Sequence, residues 1–359
     1  MLSHDFKDLK IIEVASVLAG PSVGLFFAEM GAHVLKVENK KTGGDVTRSW
    51  KLPTEDKNNG ISAYYASVNT GKDVIFLDLT VQSDLEQLYQ EISSAQILIA
   101  NFKHGAAEKL GLDFATVRKY NSRIIYGEIS GFGSESDRVA YDLILQAESG
   151  FMSMNGQPDS SPVKMPVALI DILAGHQLKE GILVAMYRQA LGKIQAVKIE
   201  VSLYDTALAS LANQATNWLM AHHIPEKMGS LHPNIAPYGE LFTTKDEVQI
   251  TFAIGNDKQF KELCNVLDIS ELSIDPLFLD NAKRVINRIA LAKQLQAAIG
   301  KIDIDGHLDR FHQRMIPVAE IKNLKTVFES AAAQKLISHS TVDGQSIAYV
   351  RSSIFKISE

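Results

Sequence analysis

The residue with the strongest claim to chemistry is Asp171, in the stretch PVALIDILAGHQLKEGILVAMYR over residues 166–188. A short apolar run ends there, a helical pattern begins, and Gly175 follows one turn later. Two readings stand. Asp is among the best helix N-caps, because its oxygens accept hydrogen bonds from the unpaired N–H groups of the first turn. The same donors and the helix dipole would also hold the carboxylate ionised. A fixed, ionised carboxylate beside a glycine that admits a close neighbour can act as a covalent nucleophile.

Other arrangements of reactive residues fail. There is no G-x-S-x-G, and the single cysteine, Cys264, sits on an apparent helix with no assigned partner, as a small buried hydrophobe does. His222, His223 and His232 lack the H-E-x-x-H spacing and have no cysteine ligands nearby, so no metal site is expected. No G-x-x-x-x-G-K-[ST] is present, which removes a P-loop nucleotidase. What remains is positive charge. Lys40, Lys41, Lys72, Lys103 and Lys109 fall in or beside loops that follow apolar runs. Most lysines are simply solvated, but a cluster at one edge suits a ligand bearing several phosphates.

The elements that must position these residues alternate. Residues 9–15 (LKIIEVA), 34–38 (VLKVE), 73–79 (DVIFLDL), 97–102 (ILIANF), 124–130 (IIYGEIS) and 197–203 (VKIEVSL) read as strands. Helical patterns lie between them, at 22–30, 82–93, about 106–110, 114–120, 143–152 and from Asp171 onward, with Pro21 tolerated at the start of the first. This predicts an α/β fold with a mostly parallel, doubly wound, Rossmann-like sheet covered on both faces. Ligands on such sheets lie at the carboxyl ends of the strands, near the switch in strand order. The turn SVLAGP lacks the full G-x-G-x-x-G pattern that a nicotinamide or flavin site would use. Residues 39–72 form a long polar connection of the kind that is usually functional or an appended element. Residues 205–222 read as one long helix. Beyond the proline-containing loop HHIPEKMGSLHPNIAPYG come alternating strands with a turn at Lys245–Asp246, then helices at 257–267 and 286–299. The expected domains are a large one over 1–225, completed by about 326–359, and a smaller α+β domain over 226–325. GQSIAYVRSS near the end reads as a closing strand of one sheet or the other.

Composition sets the class. At 359 residues, 46% hydrophobic and 22% charged, the chain can bury a sizeable core. A net charge of −6 argues against general nucleic-acid binding. One cysteine excludes an intramolecular disulfide framework, and no apolar run approaches a membrane span. With no signal-peptide pattern at the N-terminus, a cytoplasmic protein is expected.

In order along the chain stand EVASVLAGP, GAHVLKVE with GGDVTRSW, NTGKDVIFLDL, NFKHGAAEKLGL, ISGFG, YDLILQAESGFMSMNGQPDSSP, VALIDILAG, VKIEVSLYD, HPNIAPYG, RVINR and MIPVAEI. In these motifs, from about Leu9 to about Glu329, the chain resembles the family III CoA-transferases, the CaiB/BaiF family, whose known members act on formyl-CoA and oxalate or on carnitine. The resemblance implies a large doubly wound domain with a smaller one inserted late, and a homodimer of interlocked subunits. It implies an acyl-CoA thioester and a carboxylic acid as substrates, with no permanently bound cofactor. It also places the family's nucleophilic aspartate on Asp171, which would pass through an aspartyl–acyl anhydride and an aspartyl-CoA thioester.

For contacts with CoA the resemblance implies Leu18 and Ala19 at the first turn, then Leu77, Asp78, Leu79 and Thr80 at the next strand end. Asn101, Phe102 and Lys103 follow, with Lys109 where many members have arginine. Val139, Ala140, Tyr141 and Asp142 would lie beside the thioester. Asn39 falls where some members place an adenine-stacking arginine, and Lys40 is the candidate substitute. The family's 2-methylacyl-CoA racemases carry a histidine where this chain has Tyr141, and a phenol with an ordinary pKa of about 10 is a poor base at neutral pH. That favours transferase over racemase. A non-catalytic acyl-CoA-binding homologue is the remaining alternative, opposed by the intact Asp171 and Gly175. The glycine-rich lid of the formyl-CoA enzyme is not evident; Gly229–Ser230 is the nearest candidate for a moving loop.

Overall fold

A computed structural model describes residues 5–358. It divides into two compact units. The first takes in Met1–Met152, Lys164–Ile224 and Ala332–Glu359, and the second Ser153–Val163 and Pro225–Ala331.

The first unit runs β1 (Lys10–Val14), α1 (Ala19–Glu29), β2 (His33–Asn39), α2 (Ala63–Asn69), β3 (Asp73–Leu77), α3 (Gln82–Ser93), β4 (Ile97–Ala100), α4 (Ala106–Lys109), α5 (Phe114–Tyr120), β5 (Ile125–Ser130) and α6 (Asp142–Glu148). After the short α7 (Phe151–Met154) it resumes with α8 (Leu169–Ala190), β6 (Val197–Ser202), α9 (Leu203–Ala209) and α10 (Asn213–Ala221). The six strands form one parallel sheet in the order β3-β2-β1-β4-β5-β6. The winding reverses between β1 and β4, so the ligand crevice of this architecture belongs at their carboxyl ends.

The central strands β1, β4 and β5 read as largely apolar runs because both their faces are buried. Ile11, Ile97, Ile99 and Ile125 point into a core shared with α1 and α8. Their neighbours Ile12, Leu98, Ala100 and Tyr126 point into the opposite core with Leu88, Ile92 and Val117 of α3 and α5. Three charged strand residues, Glu13, Lys36 and Glu38, break the pattern by being buried. Glu13 and Lys36 are fully buried and lie 3.0 Å apart.

Three expectations are corrected. The helix expected over 205–222 is two helices, interrupted at Ala212 with φ of 47°. The segment 143–152 is likewise two pieces, α6 and α7. The closing strand joins neither large sheet; it pairs with its own neighbour as a hairpin described below.

In the second unit, β7 (Tyr238–Thr243), β8 (Gln249–Ala253) and β9 (Val318–Glu320) form an antiparallel sheet. Helices Asp257–Val266, Arg288–Ile299 and Ile304–Gln313 close a core containing Phe242, Phe252, Phe260 and Phe311. Cys264 lies inside it, and burial pushes its thiol up to about 12, so it is inert packing. The buried Arg284 of RVINR donates to the Ala236 carbonyl at 2.9 Å and to Asp257 at 2.6 Å, fixing the HPNIAPYG loop.

The chain then returns to the first unit as the antiparallel hairpin β10 (Ile337–Val342) and β11 (Gln345–Val350). Asp343 at its tip bonds Arg48 at 2.5 Å. Just beyond it, the buried Glu29 of α1 accepts from the N–H groups of Ser352 at 3.0 Å and Ser353 at 2.8 Å, and from the Ser352 hydroxyl at 2.7 Å.

Candidate active site

The turn between β1 and α1 sits at the switch in strand order and is held from both sides. Asn101, just past β4, accepts from the Ser16 N–H at 3.0 Å and donates to the Ser16 carbonyl at 2.8 Å. The N–H of Val17 points to the carboxylate of Asp45, 3.2 Å from its nearer oxygen. Val17 has φ of 72°. A β-branched side chain in that left-handed region is strained by about 1–3 kcal/mol.

Two cavities open at this edge, both within the first unit. One, of about 450 Å³, is lined by Ser16 to Ala19, the Asn101–Gly105 loop, the stretch from Glu128 to Tyr141, and Asp171. The other, of about 690 Å³, is lined by the ends of β1, β2 and β3 and the loops that follow them. Ser16, Asn101, Phe102 and Lys103 line both. The pair therefore forms two lobes on one crevice, each of a size that holds part of a long ligand.

Asp171 is the third residue of α8 and only 8% exposed. It is not the cap. Ala168 occupies that position and makes no side-chain capping bond. A first-turn donor of α8, the Ile170 N–H, goes to Asp142 Oδ1 at 2.8 Å, and none goes to Asp171. Asp142, at the start of α6, is fixed further by Gln146 Nε2 at 2.5 Å from Oδ2. Asp171 is thus left without a hydrogen-bond donor among the described residues, buried, and close to another carboxylate. Burial first and Asp142 second push its carboxyl up from the ordinary 3.8 to about 7. The expectation that first-turn donors hold it ionised is corrected accordingly.

Gly175 has a definite reason. A Cβ there would overlap Ser22 Oγ and lie 3.0 Å from the Ala19 carbonyl oxygen. Glycine lets the first turn of α1 pack against α8 one turn from Asp171. Sequence reasoning missed Tyr64. Burial, then Asp171, Asp142 and Asp45, push its phenol up to about 12, so it stands in the field of these carboxylates as a proton-bearing donor. Trp50 packs edge-on against it at 5.2 Å. The only signal was their position in the long polar connection 39–72.

The other expected site residues separate into groups. Leu18, Ala19, Val139, Ala140 and Tyr141 line the lobe that holds Asp171. Leu77, Asp78, Leu79 and Thr80 line the larger lobe. Asn101, Phe102 and Lys103 stand at the junction. Asp142 lines neither lobe and acts on Asp171 from behind. Lys40 and Lys109 also line neither and are exposed. Lys41 takes the place expected of Lys40, with its ammonium 3.1 Å from Asp78 and 2.6 Å from the Thr80 hydroxyl. Among the described residues no group of three His, Cys, Asp or Glu gathers as a metal would require. No described helix is long and apolar enough to cross a membrane.

The sequence matches the model of CoA-transferase family III over residues 6–356. The chain belongs to CoA-transferase family III. It is 36% identical to the succinate–glutarate CoA-transferase of Agrobacterium fabrum, over 91% of this chain and 82% of that one. It is 34% identical to the acetyl-CoA:oxalate CoA-transferase of Acetobacter aceti, over 92% and 85%. Among solved structures, a CaiB/BaiF family protein from Brucella suis superposes with a TM-score of 0.85 at 33% identity, covering 97% of this chain and 91% of that one. This family III CoA-transferase is therefore an enzyme whose family works on CoA thioesters.

Proposed function

We propose that the enzyme moves CoA from an acyl-CoA to a carboxylic acid through covalent intermediates on Asp171. The observation that carries this reading is a buried carboxylate without a donor, opening into one lobe of a crevice whose other lobe suits a nucleotide. The larger lobe takes the adenosine end of CoA, Lys103 at the junction meets the diphosphate, and the thioester reaches Asp171.

An Asp171 oxygen attacks the thioester carbonyl carbon, and the C–S bond breaks to release CoA thiolate and leave a mixed anhydride. A thiolate whose acid has a pKa of about 8.5 leaves readily. It then attacks the aspartyl carbonyl, expelling the first acid and forming an aspartyl-CoA thioester. The second carboxylate attacks that thioester, giving a new anhydride and free thiolate. The thiolate finally attacks the new acyl carbon, so acyl-CoA leaves and the Asp171 carboxylate returns. Acyl energy stays in covalent bonds throughout. The burial that raises the Asp171 carboxyl strips water from its ionised form, which favours nucleophilic attack and protects the intermediates from hydrolysis. Leu18 and Ala19 bring the N-terminus of α1 to the same lobe, where its dipole favours a developing oxyanion.

The enzyme acts as a homodimer in this reading. Exposed apolar residues along α8 and α10, among them Val184, Tyr187, Leu219 and Met220, support it, since monomers rarely leave such surfaces bare. The dicarboxylic acids named for its relatives are the first to screen.

Incubation with acyl-CoA followed by hydroxylamine should leave a hydroxamate on residue 171, read by peptide mass spectrometry. No adduct in the wild type, together with undiminished turnover in Asp171→Ala, would refute the mechanism.

A further inference from the structure

We propose that Asp45 is a positioning residue for this reaction, holding the strained turn at Val17 so that Leu18 and Ala19 face Asp171. The proposal rests on the covalent role of Asp171 given above.

Four buried charges lie behind the β1–α1 turn: Glu13, Lys36, Asp45 and Lys72. Lys36 Nζ stands 3.0 Å from Glu13, 3.1 Å from Asp45 and 2.8 Å from the Ala15 carbonyl. Lys72 Nζ stands 2.7 Å from Glu13 and 2.9 Å from the Pro21 carbonyl. The cluster thus grips the backbone at the start of the turn and in the first turn of α1. Asp45 grips it between them, at the N–H of Val17. Asp45 cannot drift. Its Oδ1 also accepts from the Thr47 N–H at 3.0 Å and the Thr47 hydroxyl at 2.8 Å, and its own N–H donates to Glu38 at 3.0 Å.

The geometry gives this contact a purpose beyond stability. Val17 is the residue of the turn with a left-handed backbone, and valine resists that conformation. The two residues that follow it line the Asp171 lobe. Without the carboxylate on its N–H, Val17 relaxes toward negative φ, and the chain beyond it rotates. Charge buried at four positions for a fold that hydrophobic residues could have packed points to a demand on geometry rather than on stability.

The test uses the full-length enzyme and two readouts. Hydrogen exchange over residues 14–22 reports the turn directly and does not depend on the role of Asp171. Steady-state kinetics, normalised to folded protein, report the consequence. In Asp45→Ala, exchange in this peptide accelerates, kcat falls about 100-fold as expected for a misplaced reacting centre, and KM for acyl-CoA moves less than about threefold on the same argument. Asp45→Asn keeps an oxygen for Val17 and restores most of kcat. Val17→Gly in the Asp45→Ala background recovers at least about tenfold, because glycine adopts positive φ without strain. Should Asp45→Ala not fold, Asp45→Ser takes its place with the same readouts. Unchanged exchange, or kcat within threefold of wild type, overturns the proposal. So does a kcat loss that Val17→Gly leaves uncorrected, since Asp45 would then act on stability or ligand alone. Failure of the Asp171 reading is seen separately, as a wild type that forms no hydroxamate.

Discussion

Replacing Asp171 with asparagine should stabilise the protein, and by an amount that grows with pH. The wild-type carboxyl titrates at about 7 in the folded chain against an ordinary 3.8. Between these values the folded form keeps a proton that the unfolded chain has released, so stability falls as pH rises through the window. The contribution is complete below about pH 4 and gone above about pH 8 by the same relation. Integrated from pH 5 to pH 8, a shift of this size removes about 2.5 kcal/mol from the wild type. Asparagine has no proton to lose, so the advantage of Asp171→Asn over wild type should widen by that amount across the range. Both tryptophans, Trp50 and Trp218, lie in the first unit with Asp171, so their fluorescence in urea follows the relevant transition. At equal protein concentration, with an urea slope of about 2 kcal/mol per molar, the midpoints should separate by roughly 1 M more at pH 8 than at pH 5. The acid limb of kcat/KM in the wild type should fall near 7 for the same reason. A midpoint difference that stays constant from pH 5 to 8, with an acid limb near 4, would show that Asp171 is not desolvated and sink the argument.

Asp142→Asn should move that acid limb downward but not to 3.8, because burial is the larger cause and Asp142 the smaller; the pH profile of kcat/KM checks it, and an unmoved limb contradicts it. Gly175→Ala should cost about 1–3 kcal/mol of stability and also lower kcat, since the added methyl drives α1 from α8 beside the nucleophile; urea midpoints and single-turnover rates would show it. Lys103→Met should raise KM for acyl-CoA roughly tenfold, the scale of one charge-assisted phosphate contact, while Lys40→Met and Lys109→Met, at exposed positions outside both lobes, should change it little. Equal effects at all three would mean that the crevice is not where CoA lies.

The sheet was legible because its central strands, β1, β4 and β5, are buried on both faces and write largely apolar runs into the chain, which the half-exposed edge strands β3 and β6 repeat in part. Asp171 was legible as a position, a carboxylate at the start of a helix, but its environment was not. The cap it was expected to provide comes from Asp142, a residue nearly thirty positions earlier, and no local spacing reveals which of two carboxylates an N–H will choose. Glu13 and Lys36 look like the polar edge of ordinary strands; only the fold shows that they face each other with Asp45 and Lys72. Tyr64 was hidden for the same reason, since the connection that carries it has no periodicity to say what it covers. The break at Ala212 has neither glycine nor proline to announce it. In each case the missing information is a partner distant in sequence.

The anchoring of Glu29 by Ser352 and Ser353 bears on how the protein is made. Domains generally fold as units while the chain is being synthesised, the N-terminal one first. Here the earlier unit contains a buried carboxylate whose donors are translated only after the whole of the later unit. Until residues 337–353 emerge, Arg48 lacks Asp343 and Glu29 lacks its four hydrogen bonds. The second unit has all its strands by residue 320 and does not wait. In the nascent chain the part that leaves the ribosome first is therefore the part whose last buried bonds form only when the C-terminal hairpin arrives.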